Sequence, residues 1–441
     1  MNKFSLLLVF LLFSAILHAQ QKHIILISID GFRPDFYRDK SWSAPTLKRL
    51  ASEGVQAIGV QSVFPTLTYP SHTSIITGAL PIHHGIYFNN LFEGREGQGI
   101  WDDSMIKVQT IWTALHNAGL KSASVMWPVT VGATIDYNFP IRRADEDEHS
   151  DQMAMTRPYI TPKNLFDEYE QKNGRLSQKD FGENKHAQDS TVEKMAMYVF
   201  NAYKPALTAF HFLSMDHAQH AFGRDGKEVR RSLTVVDGLI AKVLKDLKAS
   251  GMDKSTTIII TGDHGFVNTT AGFSPNVLLS NNGLINGKDW KAKFNSAGGS
   301  EFLYVKNNNQ HILKKVIRIL DSLPPDQRRL FRIINRAQMD SVGANADAMM
   351  ALALNKGIRG NNKITGDLVQ PINKGGNHGN FPDFQEIQTG FIAIGPDVQS
   401  HKVIPKMGVV DISPLIAALL QVPFKAPDGK LIKGIIKETK R

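Results

Sequence analysis

The sequence predicts an α/β protein with a largely parallel central sheet and helices on both of its faces. Three observations lead there: short, almost wholly apolar runs of strand length, longer segments of helical period between them, and polar, chemistry-bearing residues set just behind the apolar runs. Ile24-Ile25-Leu26-Ile27-Ser28-Ile29 is the first such run. Apolar at nearly every position, it suits a strand covered on both faces, as parallel sheets require. The segment 45–54, PTLKRLASEG, reads as the next helix. Proline fits a first helical position and glycine a helix end. Further strands are expected at 121–126, 207–213, 256–261 and 389–394, and further helices at 110–118, 191–202, 229–249 and 412–420.

Two stretches break this rhythm. Residues from about 138 to 190 are polar and charge-dense, with the run Arg142-Arg143-Ala144-Asp145-Glu146-Asp147-Glu148, and residues from about 270 to 375 are rich in Asn and Gly. Both are expected as cap-like insertions in a single catalytic domain spanning 21–441, because long interruptions of a βα pattern usually carry lids or binding loops.

Of the 441 residues, 42% are hydrophobic and 21% charged, which supports a large core and excludes a disordered chain. There is no cysteine. Thiolate zinc sites, cysteine nucleophiles and iron–sulfur ligation are therefore excluded, and any metal must be held by oxygen and imidazole. Residues 1–20 have the pattern of a secretory signal: Lys3, an apolar stretch over 4–17, and a cleavage point in Leu17-His18-Ala19-Gln20. That stretch is shorter than the ~20 residues of a spanning helix, so the expected location is periplasmic or secreted, with no transmembrane anchor after cleavage. The formal charge of +10 falls to about +9 when Lys3 leaves with the signal. Spacing of four would align Arg328, Arg332 and Arg336 if that segment is helical. A solvated basic face is the expectation, since no nucleic-acid motif accompanies it, and no specific nucleic-acid binding is expected.

The informative residues lie behind the expected strands, where open α/β sheets place their ligands. Asp30 follows the first strand; alone, it would read as a turn or capping carboxylate. Asp263-His264 follows the strand 256–261, and Gly262 and Gly265 permit the turn that lets both side chains reach one site. Asp216 and His220, four apart, share a face of one helical turn, a spacing used by metal-binding pairs. His217 reads as a surface residue or one behind the ligands. His378 sits in GGNHGN, a loop-like setting suited to a ligand rather than a packed imidazole. Thr68 stands where a helix is expected to begin. Its hydroxyl is an ordinary cap or, with first-turn N–H groups and a nearby cation, a nucleophile for phosphate chemistry. Together, three Asp, three His and one Thr match two oxygen/nitrogen metal sites.

The carrying segments are SIDGFR at 28–33, FPTLTYPSH at 64–72, Thr77-Gly78 with HGIYFNN at 84–90, Asp216 with His220, GDHG at 262–265, and His378-Gly379. In that order they resemble the nucleotide pyrophosphatase/phosphodiesterase family of the alkaline phosphatase superfamily, and they span nearly all of the mature chain. The resemblance implies an alkaline-phosphatase-like sandwich and two Zn2+ per chain. One zinc would be held by Asp216, His220 and His378, the other by Asp30, Thr68, Asp263 and His264. It also implies that Thr68, not Thr66, attacks phosphorus, forming a phosphothreonine that water then hydrolyses. Asn89 and the Tyr69 N–H would stabilise the transition-state oxygens. Tyr69 matches a position that stacks on a leaving group in the family; it reads equally as a packing aromatic. Leu67 and Met215 replace the Lys and Pro of many nucleotide-acting members, a departure that touches the substrate and not the metals. The expected function is thus an exported di-zinc hydrolase of phosphodiester or phosphoanhydride bonds acting on a small anionic phosphoester. The alternatives on the same site are a phosphomonoesterase or a phosphonoacetate hydrolase, which the segment 212–220 also resembles.

Overall fold

The computed structural model describes residues 21–92, 99–143, 151–182 and 184–438. The signal expected at 1–20 and residues 144–148 of the charged run lie outside them. Eight strands form the main sheet, in the order Lys402–Ile404, Val55–Ala57, Phe391–Ile394, Thr256–Thr261, His23–Ile29, Leu207–Phe212, Ser122–Val125 and Tyr137–Phe139. Phe391–Ile394 runs against both its neighbours, and every other pairing in this sheet is parallel.

Side chains alternate across the sheet and build two cores. Ile25, Ile27, Ile29, Phe210, Phe212, Ile258 and Ile260 enter one, covered by the helices Pro45–Glu53, Lys185–Tyr203 and Lys227–Ala249. Ile24, Leu26, Leu207, Ala209 and Ile259 enter the other, covered by Thr68–Thr77, Ile111–Asn117 and Ile412–Leu420. This is the two-sided cover that the apolar runs require.

The differences from expectation have local causes. The helix expected at 191–202 begins earlier, at Lys185, because the Asn184 side chain caps it by accepting the Ala187 N–H at 3.2 Å. Arg328, Arg332 and Arg336 do not share a helix face. Arg328 ends the helix Pro325–Arg328, Arg332 lies in the strand Phe331–Ile334 and Arg336 opens the helix Arg336–Ser341. Pairing of Phe331–Ile334 with Met350–Leu354 outweighs the helical spacing, and the three arginines are engaged by Asp321, Asp383 and Asp340.

In the first interruption, Ile160, Leu165, Phe166, Tyr169 and Phe181 pack into the main core. The second contains a four-stranded antiparallel sheet, in the order Ala292–Ser296, Ser300–Val305, Met350–Leu354 and Phe331–Ile334, over a core of its own that includes Phe294, Leu303, Val316, Leu320 and Leu352. A three-stranded sheet carries the chain back: Val267–Phe273 leaves the site just after His264, and Val369–Asn377 returns beside it to end one residue before His378. No helix among the described residues is long and apolar enough to cross a membrane.

Candidate metal centre and active site

Three adjacent parallel strands end side by side. Ser28 is in register with Thr261 on one neighbour and His211 on the other, so Asp30, the Asp263-His264 pair and the helix Ser214–Phe222 all emerge at one edge. Gly31, at φ +70°, turns the chain sharply after Asp30. Its N–H donates to Asp263 Oδ1 at 3.0 Å, which also accepts the His264 N–H at 3.0 Å. These bonds pin one oxygen of Asp263 and leave Oδ2 facing His264 Nε2 at 3.1 Å. His264 Nε2 lies 3.4 Å from Asp30 Oδ1.

The second group is assembled across the chain. Asp216 Oδ1 is 3.3 Å from His220 Nε2 and 3.6 Å from His378 Nε2, and the two imidazole Nε2 atoms are 3.1 Å apart. Each of these histidines has its other nitrogen on a backbone carbonyl: His220 Nδ1 on Gly376 O at 3.0 Å and His378 Nδ1 on Thr66 O at 2.8 Å. An Nδ1–H donated to a carbonyl leaves the Nε2 lone pair free for a metal. The His264 and His378 rings stack at 3.6 Å.

Asp216, His220 and His378 form one set with ligand atoms within 4.8 Å of one another, and Asp30, Asp216 and His264 form another. Asp216 therefore stands between the two groups. The first set is the trio expected for one metal. The second contains Asp30 and His264 of the other expected set, with Asp263 Oδ2 close by. Inside the fold, Asp30 Oδ1, Asp216 Oδ1, Asp263 Oδ2 and His264 Nε2 are buried without hydrogen-bond partners. Such a concentration of orphaned acceptors is costly, and cations held by these atoms would satisfy them, so the residues present fit a two-metal centre. The charge balance agrees. Burial, then Asp263 and Asp216, push the Asp30 carboxyl well above its usual range, as expected for carboxylates crowded together. Burial opposes ionisation of Asp216 too, but His220, His378 and His264 outweigh it and hold that carboxyl below its usual range. Burial lowers His264 to about 4, which keeps it in the neutral form that binds metals.

Thr68 opens the helix Thr68–Thr77, as its sequence setting suggests, and is 9% exposed. Thr66 is fully buried and spent on structure: its hydroxyl donates to Asn380 O and accepts the Gly379 N–H. Asn89 Oδ1 accepts the Tyr69 N–H at 2.9 Å. That N–H is therefore committed within the protein, and the Asn89 NH2 remains as the donor for a ligand. Tyr69 is half-buried and meets Trp101 edge-on at 6.0 Å, and burial pushes its hydroxyl up to about 12. His217 is exposed.

Sequence reasoning missed three residues behind the ligands. His211 Nε2 lies 3.2 Å from Asp30 Oδ2. His72 Nε2 meets Ser28 Oγ at 2.8 Å, its Nδ1 donates to Thr68 O at 2.8 Å, and its ring lies 4.2 Å from that of His211. Gln219 donates to Gly31 O at 2.9 Å and so braces the turn after Asp30. The spacing of four between Thr68 and His72 was a readable signal; a lone His in the strand LTAFHF was a weaker one. A cavity of about 420 Å3 opens beside His220, lined by Arg359, Lys363 and Lys374 and by no carboxylate.

A layered α/β fold whose carboxyl strand edge gathers Asp and His side chains into two candidate metal-binding groups suits a phosphoryl-transfer protein. The sequence profile described as "Type I phosphodiesterase / nucleotide pyrophosphatase" matches residues 24–375, and the chain belongs to that family. Among curated relatives, rat ectonucleotide pyrophosphatase/phosphodiesterase family member 3 is 22% identical over 430 residues, 91% of this chain but 42% of the relative. The mouse bis(5'-adenosyl)-triphosphatase enpp4 is 28% identical over 254 residues, covering 55% of this chain and 46% of that one. The chain thus spans less than half the length of these two relatives. Human ectonucleotide pyrophosphatase/phosphodiesterase 5 shares the fold, with a TM-score of 0.69 at 17% identity, over 95% of this chain and 100% of that one. The murine form, solved as an inactive variant in complex with AMP, aligns at a TM-score of 0.65 and 18% identity, over 92% of this chain and 97% of that one.

Proposed function

We propose that the protein is an exported di-zinc hydrolase of phosphodiester or phosphoanhydride bonds that works through a phosphothreonine at Thr68. The single observation that carries this reading is the cluster of orphaned Asp and His atoms at the strand edge, beside His378, whose Nδ1 is held by Thr66 O two residues before Thr68. One ion would sit among Asp216, His220 and His378, the other among Asp30, Thr68, Asp263 and His264. Bound zinc would supply Lewis-acid stabilisation of charge on the attacking and leaving oxygens. The protein's own residues do the rest. The Thr68 hydroxyl gives its proton to solvent and its oxygen bonds to phosphorus as the bond to the departing oxygen breaks; that oxygen leaves with the electron pair and takes a proton from solvent. Water then cleaves the phosphothreonine, returning Thr68 and releasing the phosphate product. The Asn89 NH2, oriented by the Tyr69 N–H on its carbonyl, donates to a non-bridging oxygen. The cations beside His220 favour an anionic substrate.

The test is Thr68→Ala assayed on bis-p-nitrophenyl phosphate with metal content measured in parallel. Turnover is expected to fall by at least ~10³-fold with both zinc equivalents retained. Full turnover with metal bound would remove Thr68 as the nucleophile. For export, the amino terminus of protein recovered outside the cytoplasm is expected near Gln20 or Gln21.

A further inference from the structure

The cavity beside His220 is built from the three-stranded sheet and the loop that joins its outer strands. Arg359 lies in the strand Gly357–Gly360, in register with Gly272 of the central strand Val267–Phe273. Lys374 lies on the other side of that strand, in Val369–Asn377, where the register shifts between Pro371 and Gly375. Lys363 is in the intervening loop, and the Asn361 side chain accepts its N–H at 3.0 Å. The three line one cavity of about 420 Å3 together with His220, Gly375 and Gly376. This wall is pressed against the helix that carries His220: a Cβ added at Gly375 would come within 2.5 Å of His220 O, and one at Gly376 within 2.4 Å of Gln219 O. All the lining residues fall in 220–221, 269–272 and 359–376, and all are described. Among the described residues Arg359, Lys363 and Lys374 make no ion pair, whereas Lys356, just before them, is matched by Glu386. Three exposed like charges around one cavity repel one another, and an anion that enters relieves that repulsion.

We infer that Arg359, Lys363 and Lys374 form a subsite for a departing group that carries its own anionic charge, a second phosphate above all, and so select phosphoanhydrides over diesters whose departing substituent is uncharged. The inference rests on the Thr68 reading above. There, Thr68 attacks from the side of Asp30, Asp263 and His264. In an in-line displacement the departing oxygen lies across phosphorus from the attacking one, toward Asp216, His220 and His378. The cavity beside His220 therefore receives whatever that oxygen carries. A guanidinium fork matches two oxygens of a phosphate, and the two lysines add point charges. The step balances: the Thr68 hydroxyl gives its proton to solvent and its oxygen bonds to phosphorus, while the bridging oxygen leaves with the electron pair as one more charged oxygen of the departing group. Water then frees Thr68.

The experiment compares the zinc-loaded full chain with Arg359→Gln, with the double variant Arg359→Glu and Lys374→Glu, and with Lys314→Glu. The substrates are thymidine 5′-triphosphate and p-nitrophenyl thymidine 5′-monophosphate, which transfer the same thymidylyl group and differ only in what departs. Binding of inorganic pyrophosphate is measured by calorimetry on the same proteins. Arg359→Gln is expected to lower kcat/KM for the triphosphate about tenfold more than for the nitrophenyl ester, and the double variant about a hundredfold more, with pyrophosphate binding weakened by similar factors. Lys314, exposed on the helix Gln310–Asp321 and outside the cavity lining, tests for a mere effect of net charge, and Lys314→Glu should leave the ratio as it was. An equal fall in Lys314→Glu would overturn the inference. So would a ratio and a pyrophosphate affinity that both stay fixed in the cavity variants, or a wild type that cleaves the nitrophenyl ester and not the triphosphate. If wild type turned over neither, the Thr68 reading would fail, and the calorimetry would still decide whether the cavity holds a phosphate anion.

Discussion

The two halves of the ligand cluster are built differently. Asp30, Asp263 and His264 follow neighbouring strands of the central sheet, and their side chains are 4%, 0% and 0% exposed. Asp216, His220 and His378 come from a helix and from the end of a returning strand, and theirs are 20%, 33% and 8% exposed. The first group inherits its position from the register of the sheet. The second depends on Val369–Asn377 lying against Val267–Phe273 and on the hydrogen bond from His220 to Gly376 O. A site made by the sheet should hold its ion tightly, whereas one made by joining two separate pieces should release it first.

Three measurements can break or sharpen that contrast. The largest effect is expected in chelation: with excess chelator, one zinc equivalent should leave at least ~10-fold faster than the other, and His220→Ala should abolish the fast phase. Two equivalents leaving in one phase would erase the distinction. The next concerns the sheet-built half. His211→Phe, which removes the group 3.2 Å from Asp30 Oδ2, should weaken metal binding there by roughly 10- to 100-fold and leave the faster-leaving ion nearly as it was. Competition with a coloured chelator reads both affinities, and equal weakening of the two would count against the contrast. The smallest is a change in stability. At Gly31, φ is +70° and an added Cβ would come within 2.7 Å of Gln219 Nε2 and of Phe266 Cε2. Gly31→Ala should therefore cost about 1–3 kcal/mol in denaturant unfolding of the metal-free protein. No loss would show that the turn after Asp30 tolerates the change.

By itself the sequence determined the layered sheet, because near-continuous apolar runs such as IILISI and TTIIIT have no polar face to offer water and must be covered on both sides. It also narrowed which residue types could hold a metal, since a chain without cysteine leaves carboxylate, imidazole and hydroxyl donors, and it set Asp216 and His220 on one helical face through spacing alone. Tertiary structure decided the rest. Residues 212–220 say nothing of Gly376, yet its carbonyl sets the His220 ring, and Thr66 O does the same for His378 from 312 positions away. Asp216 stands between two ligand groups, and His211 backs Asp30, because register places their strand and helix there. The arginines at 328, 332 and 336 show the converse: a helical spacing gave way to a strand that pairs with Met350–Leu354. Local periodicity reports which face a residue takes within its own element, whereas a metal site depends on which elements become neighbours, and that is set by packing between segments hundreds of residues apart.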